Sequence, residues 1–346
     1  MSYFRNEIDE MQGYTPGEQP RDRRYIKLNT NENPYPPSPN VASLIKNFDS
    51  ETLRLYPDPV FCELRKKIAS LFCLAENEIL VGNGSDDILT MAVRSFAGPG
   101  RKIASFTPSY SLYSVLSKIQ GAQYEEIPLD AQNGFSLPAN FAEKVADAAL
   151  LFVCRPNAPT GNCFPLGAMD RLCDACRGIV LIDEAYADFA DDNCIGFPRR
   201  HRNAIVMKTL SKSYSLAGLR LGFSIASAEI IAGMMKVKDS YNVSTLAQRI
   251  AVAALDDRRY FDETVSKIRR TRSKLIASLR GKGFKVFDSQ SNFVFASPPD
   301  GDAAGLYRRL KSEGVLVRHF PGASTGAYIR ITVGTDIETD SLLNLL

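Results

Sequence analysis

Apolar residues recur along the chain in two rhythms. VFCELRKKIASLF, residues 60–72, spaces them at three and four and predicts a helix. EIL, the turn VGNG and SDDILTMAVRSFAG read as strand, glycine turn and helix. Ser85, Asp86 and Asp87 fall in that helix's first turn, where capping and acidic residues are favoured. RKIASF, a turn at TPSY and SLYSVLSKIQG repeat the unit. AQYEEIP is a short strand, ALLFVCRPNAPTG an apolar run ending in a proline-rich loop, and MDRLCDACRG a helix. IVLIDEAYADF is an apolar strand with acidic and aromatic residues at its end, and AIVMKTLSKSYS runs from strand into loop. Near-continuous apolar strands alternating with helices predict an α/β fold, a mostly parallel sheet sandwiched by helices.

The rhythm changes towards the C-terminus. QRIAVAALDDRRYFDETVSKIRRTRSKLIASLRG predicts one long amphipathic helix. KVFDSQSNFVFASPP, AAGLYRRLKSEG, GVLVRHF and AYIRITVGT then read as strand, helix, strand and strand of a smaller α+β lobe. The prolines of YTPGEQP and TNENPYPPSPN exclude long helices near the N-terminus and predict an extended arm. The expected division is residues 1–50 as arm and part of the small domain, 51–240 as the large domain, and 241–346 as the small C-terminal domain.

Composition narrows the function classes. The 346 residues are 45% hydrophobic and 23% charged, ordinary globular values. A net charge of +3 gives no electrostatic case for nucleic acid or anionic membrane. The only two histidines, His201 and His319, lie far apart in sequence, which argues against a multi-histidine metal site, so no metal is expected. Cys173 and Cys176 form a CxxC without a second pair at zinc spacing, and read as two thiols on a buried helix face. No apolar run reaches the ~18 residues of a membrane span. A cytoplasmic protein of a reducing compartment is expected.

The unusual polar residues gather at the carboxyl ends of predicted strands, where open α/β sheets bind ligands. Ser85 and Asp86 open a helix after a glycine turn; Tyr110, Asn157, Asp183 with Tyr186, and Lys212 follow other strands. A glycine turn into a helix N-terminus suits a phosphate, and Ser211 and Arg220 add donors. The apolar flanks of Arg220 predict burial with an anion. Gly218 is expected to allow a close backbone approach. An Asp at the end of an apolar strand needs a cation, and a desolvated lysine becomes nucleophilic toward an aldehyde. Phosphate, ring cation and aldehyde together describe pyridoxal 5'-phosphate.

SKSYSLAGLRLGF, IVLIDEAYADF, PNAPTG and YIRITVGT resemble the lysine, aspartate, asparagine and arginine segments of the fold-type I, pyridoxal-phosphate-dependent class I/II aminotransferases. YTPGEQP, LNTNENPYPPSP and LRLYPDP make the chain similar, more narrowly, to the histidinol-phosphate aminotransferase family, from about Tyr14 to Thr335. The resemblance implies that Lys212 holds the cofactor covalently and moves the substrate proton, and that Asp183 keeps the pyridine nitrogen protonated. It implies that Asn157 and Tyr186 bond the phenolic oxygen and that Tyr110 stacks on the ring. Ser85, Asp86, Ser211 and Arg220 are implied for the phosphate, with Tyr56 reaching it from the neighbouring subunit of a homodimer. Arg330 is implied for the substrate carboxylate, and Tyr14, Asn33 and Arg318 for the rest of the pocket.

The implied reaction is transamination of histidinol phosphate with 2-oxoglutarate, in histidine biosynthesis. Aromatic amino acid transamination and a threonine-phosphate decarboxylase-like lyase remain alternatives. Arg155 and Ala158 stand where the resembling loop has asparagines, and the roles of Arg155 and His319 stay open.

Overall fold

The computed structural model describes residues 2–346. Strands Ile79–Gly82 (β1), Lys102–Thr107 (β2), Gln123–Pro128 (β3), Leu150–Cys154 (β4), Ile179–Asp183 (β5), Ala204–Thr209 (β6) and Gly222–Ile225 (β7) form a seven-stranded sheet in the order β1-β7-β6-β5-β4-β2-β3. β7 runs antiparallel to both neighbours. The remaining pairings are parallel.

The apolar runs follow from burial on both faces. Alternate residues of a strand point to opposite sides. Leu151, Val153, Ile182 and Val206 join one core cluster, while Leu150, Phe152, Leu181, Ile205 and Met207 join another. Central strands covered by helices on both sides therefore have no polar face.

The long C-terminal helix is two helices, Thr245–Asp256 and Arg258–Gly281. Asp257 breaks the run. Its side chain caps the second helix through Tyr260 N at 3.2 Å and accepts from Ser38 Oγ at 2.6 Å. Apolar periodicity continues across the break, so the pattern alone runs the two together. GVLVRHF likewise divides. Val315–Leu316 pairs in parallel with Ile26–Lys27 of the arm, while Arg318–His319 joins Ile329–Thr332 in a four-stranded antiparallel sheet. The arm thus continues the C-terminal structure.

Cys173 and Cys176 are buried free thiols on and just after the helix Leu166–Ala175. The Asn203 amide closes that helix end, donating to the carbonyls of Cys173, Cys176 and Gly178 at 3.0 Å each. Among the described residues no helix is long and apolar enough to cross a membrane.

Candidate active site

β4, β5 and β6 are neighbours, and their carboxyl ends place Cys154, Asp183 and the loop carrying Lys212 side by side. They border a cavity of about 230 Å³. Ser85, Asp86, Tyr110, Asp183, Tyr186, Ser211, Lys212 and Arg220 line it together with Tyr14, Arg318 and Arg330. Residues scattered from position 14 to 330 thus line one cavity.

One end of the cavity is made of backbone. β1 stops at Gly82, and Gly84 takes φ +85° before the helix Ser85–Phe96. Left-handed geometry at that turn favours glycine. A Cβ on Gly84 would also stand 2.8 Å from Arg220 Nη2, and one on Gly222 would stand 2.8 Å from Ser85 N. Those two glycines, rather than Gly218, supply the close approach, since a Cβ on Gly218 meets nothing within 4 Å. Arg220 differs from expectation as well. Its side chain is 46% exposed and its Nη2 lies 3.2 Å from Asp86 Oδ2. It sits on the cavity wall, so Leu221 beside it is buried while the guanidinium is not.

Asp183 is buried, and its carboxyl takes two hydrogen bonds. Tyr113 Oη donates to Oδ2 at 2.7 Å and Ala185 N to Oδ1 at 3.1 Å. Burial raises its pKa to about 6 despite both bonds. Lys212 Nζ donates to the Thr30 carbonyl at 3.1 Å and lies 5.9 Å from the Tyr186 ring centre. Desolvation lowers its pKa to about 8, opposed by the Glu32 carboxylate. Tyr186 accepts from Asn31 Nδ2 at 3.0 Å, and burial pushes its phenol up to about 12. Tyr110 Oη donates to Asp86 Oδ1 at 3.2 Å.

Two cations also line the cavity. Arg330 Nη2 donates to the Asn29 carbonyl at 3.0 Å, and its guanidinium lies 5.3 Å from the Phe293 and 5.2 Å from the Phe320 ring centres. Its Nε is buried without a hydrogen-bond partner. Arg318 donates to the carbonyls of Pro16 at 3.2 Å and Thr15 at 3.3 Å, drawing the arm across the opening. Tyr14 meets Tyr110 edge to face at 5.8 Å.

Three expected residues stand off the cavity wall. Asn157 lies behind it, donating to Pro108 O at 2.9 Å and Thr160 Oγ1 at 2.7 Å and accepting from Ser109 Oγ at 2.9 Å. Asn33 lies beneath the lysine loop, donating to the carbonyls of Lys212 and Ser213 at 3.1 Å each. Tyr56 is 81% exposed and stacks on Tyr241 at 4.4 Å.

Tyr113, Asn31 and Thr30 were not legible as site residues. Tyr113 occupies the helical face of LYSVLSKI next to Tyr110 and reads as core. Asn31 takes φ +58° and exchanges contacts with Thr332, a pairing 301 residues distant. Asparagine tolerance of left-handed geometry was the available signal. Arg155 is fully buried by Phe164 O and the Asp192 carboxylate, 2.7 and 2.5 Å from its Nε and Nη2, away from the cavity. His319 Nε2 lies 2.9 Å from Gly326 O.

The profile of the family "Aminotransferase class I and II" matches residues 23–346. The chain belongs to this family. As a class I and II aminotransferase it is 45% identical over 339 residues to the histidinol-phosphate aminotransferase of Microcystis aeruginosa, covering 98% of this chain and 96% of that one. It is 44% identical over 348 residues to that of Geobacter sulfurreducens, covering 99% and 98%. The crystal structure of the Sinorhizobium meliloti histidinol-phosphate aminotransferase in complex with pyridoxal-5'-phosphate superposes with a TM-score of 0.89, at 23% identity over 99% of this chain and 96% of that one. This aminotransferase therefore has the fold-type I architecture that its resemblance implied, and the mostly parallel, helix-covered sheet that its strand and helix pattern predicted.

Proposed function

We propose that this aminotransferase uses pyridoxal 5'-phosphate to move the amino group of histidinol phosphate to 2-oxoglutarate. The observation that carries the reading is one cavity that Lys212 and Asp183 line together with two arginines, Arg318 and Arg330. Two cations suit substrates that carry a carboxylate in one half-reaction and a phosphate in the other. The near full-length relatives at 44–45% identity support the same substrate.

The residues fit the cofactor. The Gly84 turn and the helix start at Ser85 form a backbone cradle for a phosphate, with Arg220 alongside. Asp183 is a buried carboxylate with no ion-pair partner among the described residues, which suits a protonated ring nitrogen. When bound, the cofactor supplies an electron sink for the bond broken at the substrate carbon.

The chain supplies the remainder. Asp183 holds a proton on the ring nitrogen. Lys212 Nζ, partly neutral near pH 8, carries a proton to and from the substrate carbon that bears nitrogen. Asn31 orients the Tyr186 hydroxyl, and Asn33 holds the lysine loop by its carbonyls. Arg330, with its free buried Nε, binds the carboxylate, and Arg318 the second anion. Tyr14 and the arm exclude water.

The proposal includes the division into an arm at residues 1–50, a large domain at 51–240 and a small domain at 241–346, supported by the separate seven- and four-stranded sheets. It also includes a cytoplasmic homodimer in which Tyr56 reaches the neighbour's phosphate. The exposed Leu53, Leu55 and Tyr56 support that contact, and free cysteines support a reducing compartment.

The test compares histidinol phosphate, phenylalanine, tyrosine and threonine phosphate as donors with 2-oxoglutarate as acceptor. Histidinol phosphate is expected to give the highest kcat/KM. A higher value for phenylalanine, or carbon dioxide release from threonine phosphate, overturns the assignment.

A further inference from the structure

Two lysines four residues apart stand in opposite surroundings. Lys212 faces the cavity, its Nζ bonded to a backbone carbonyl. Lys208, on β6, is 4% exposed and surrounded by acid. Its Nζ lies 2.8 Å from Asp188 Oδ1 and 3.6 Å from Glu184 Oε2. Glu184 Oε2 has no hydrogen-bond partner, so the short contact of Lys208 is the one to Asp188.

The second oxygen of that carboxylate faces the lysine loop. Ser213 Oγ donates to Asp188 Oδ2 at 2.5 Å. Ser213 directly follows Lys212 and is 2% exposed. From the other side, the Asn33 amide holds the carbonyls of Lys212 and Ser213. The segment carrying the reactive amine is thus gripped on its carbonyls and on the side chain beside it. An ion pair that served stability alone would need no third member. Here the charge pair fixes a carboxylate that in turn fixes a hydroxyl next to Lys212.

We infer that Lys208, Asp188 and Ser213 are positioning residues that set where the Lys212 amine stands, a role that rests on the transaminase reading above. A buried carboxylate clamped by a cation is a stiffer anchor for Ser213 than a solvated one. Positioning of this kind acts on the chemical step more than on substrate binding, because the substrate's anions are held by other side chains, Arg330 and Arg318.

The test uses the holoenzyme. Ser213→Ala removes the hydroxyl and leaves the ion pair intact. It is expected to lower kcat about tenfold with KM changed less than about twofold. A second readout needs no turnover. The pH midpoint of the visible band of the resting holoenzyme is expected to rise by about half a unit, because the Lys212 nitrogen, held less firmly, would meet more water and water favours its protonated form. Asp188→Asn is expected to reproduce both effects, and adding Ser213→Ala to it to change nothing further. Wild-type kcat and midpoint in Ser213→Ala overturn the inference, as does full additivity in the double variant. A wild-type protein with no visible band after cofactor addition overturns the transaminase reading and this inference with it, so the wild-type spectrum tells the two failures apart.

Discussion

Tyr113, itself fully buried, donates its hydroxyl hydrogen across 2.7 Å to Asp183, whose carboxyl borders the cavity. Tyr113 is itself stacked on Phe152 at 4.6 Å, so the donor cannot turn away. The bond favours the ionised carboxylate against the burial that opposes it. Tyr113→Phe is expected to weaken cofactor binding about tenfold, near the ~1.4 kcal/mol of one such bond to a charged group. The acid limb of kcat should move to higher pH, because losing the donor raises the Asp183 pKa further. Equilibrium cofactor titration and a pH–rate profile check both.

Asp183 also makes the cofactor-free chain pH-sensitive. Its folded pKa, about 6, lies above the usual carboxylate value. Stability from this group is therefore fully present below about pH 4 and is lost as pH rises through about 6. Asp183→Asn apoprotein is expected to melt no lower than wild-type apoprotein at pH 7, yet to gain less from added cofactor. Paired thermal melts with and without cofactor decide it.

Lys212 must be neutral to attack an aldehyde. With its pKa lowered to about 8, cofactor capture by the apoprotein should speed up as pH rises and level off above about pH 8. A midpoint near the ordinary lysine value would contradict the desolvated placement. Lys212→Ala should form no borohydride-fixed adduct and should lose about 10²–10⁴-fold or more in kcat.

Arg330 and Arg318 should separate by substrate. Arg330→Lys loses the planar fork and is expected to lower kcat/KM about 10–100-fold for glutamate and 2-oxoglutarate. Arg318→Ala should lower it most for histidinol phosphate. Kinetics on both half-reactions test the split.

Gly222→Ala and Gly218→Ala should differ sharply. The new Cβ at Gly222 would stand 2.8 Å from Ser85 N and 3.0 Å from Lys208 O, both backbone, whereas at Gly218 it meets nothing within 4 Å. Gly222→Ala is expected to cost about 1–3 kcal/mol and to loosen the cofactor cradle, with Gly218→Ala near neutral. Denaturant melts and cofactor release on dialysis compare them.

Much of the site was readable because strand ends announce themselves. A polar residue after an apolar run, as at Asp183 or Lys212, is visible without coordinates. Tyr113 was not, because a buried tyrosine on an amphipathic helix reads as core until its hydroxyl partner is known. Asn33 and Asn157 carried the right residue type. Their amides serve backbone carbonyls and hydroxyls behind the wall, which only folding reveals. The break at Asp257 was hidden because apolar spacing survives a capped helix junction.

The sequence by itself determined the alternation of strands and helices and the glycine turn, since each depends on residues close in the chain, and the cofactor chemistry, since each polar residue is marked by the apolar strand just before it. Tertiary structure decided which distant groups meet: Arg330 with Asn29, Asn31 with Tyr186, and Asp188 with both Lys208 and Ser213. It also decided the protonation of Lys208 and Lys212, both lysines in one segment. Burial beside two carboxylates keeps the first charged, and burial without an ion-pair partner lets the second become neutral.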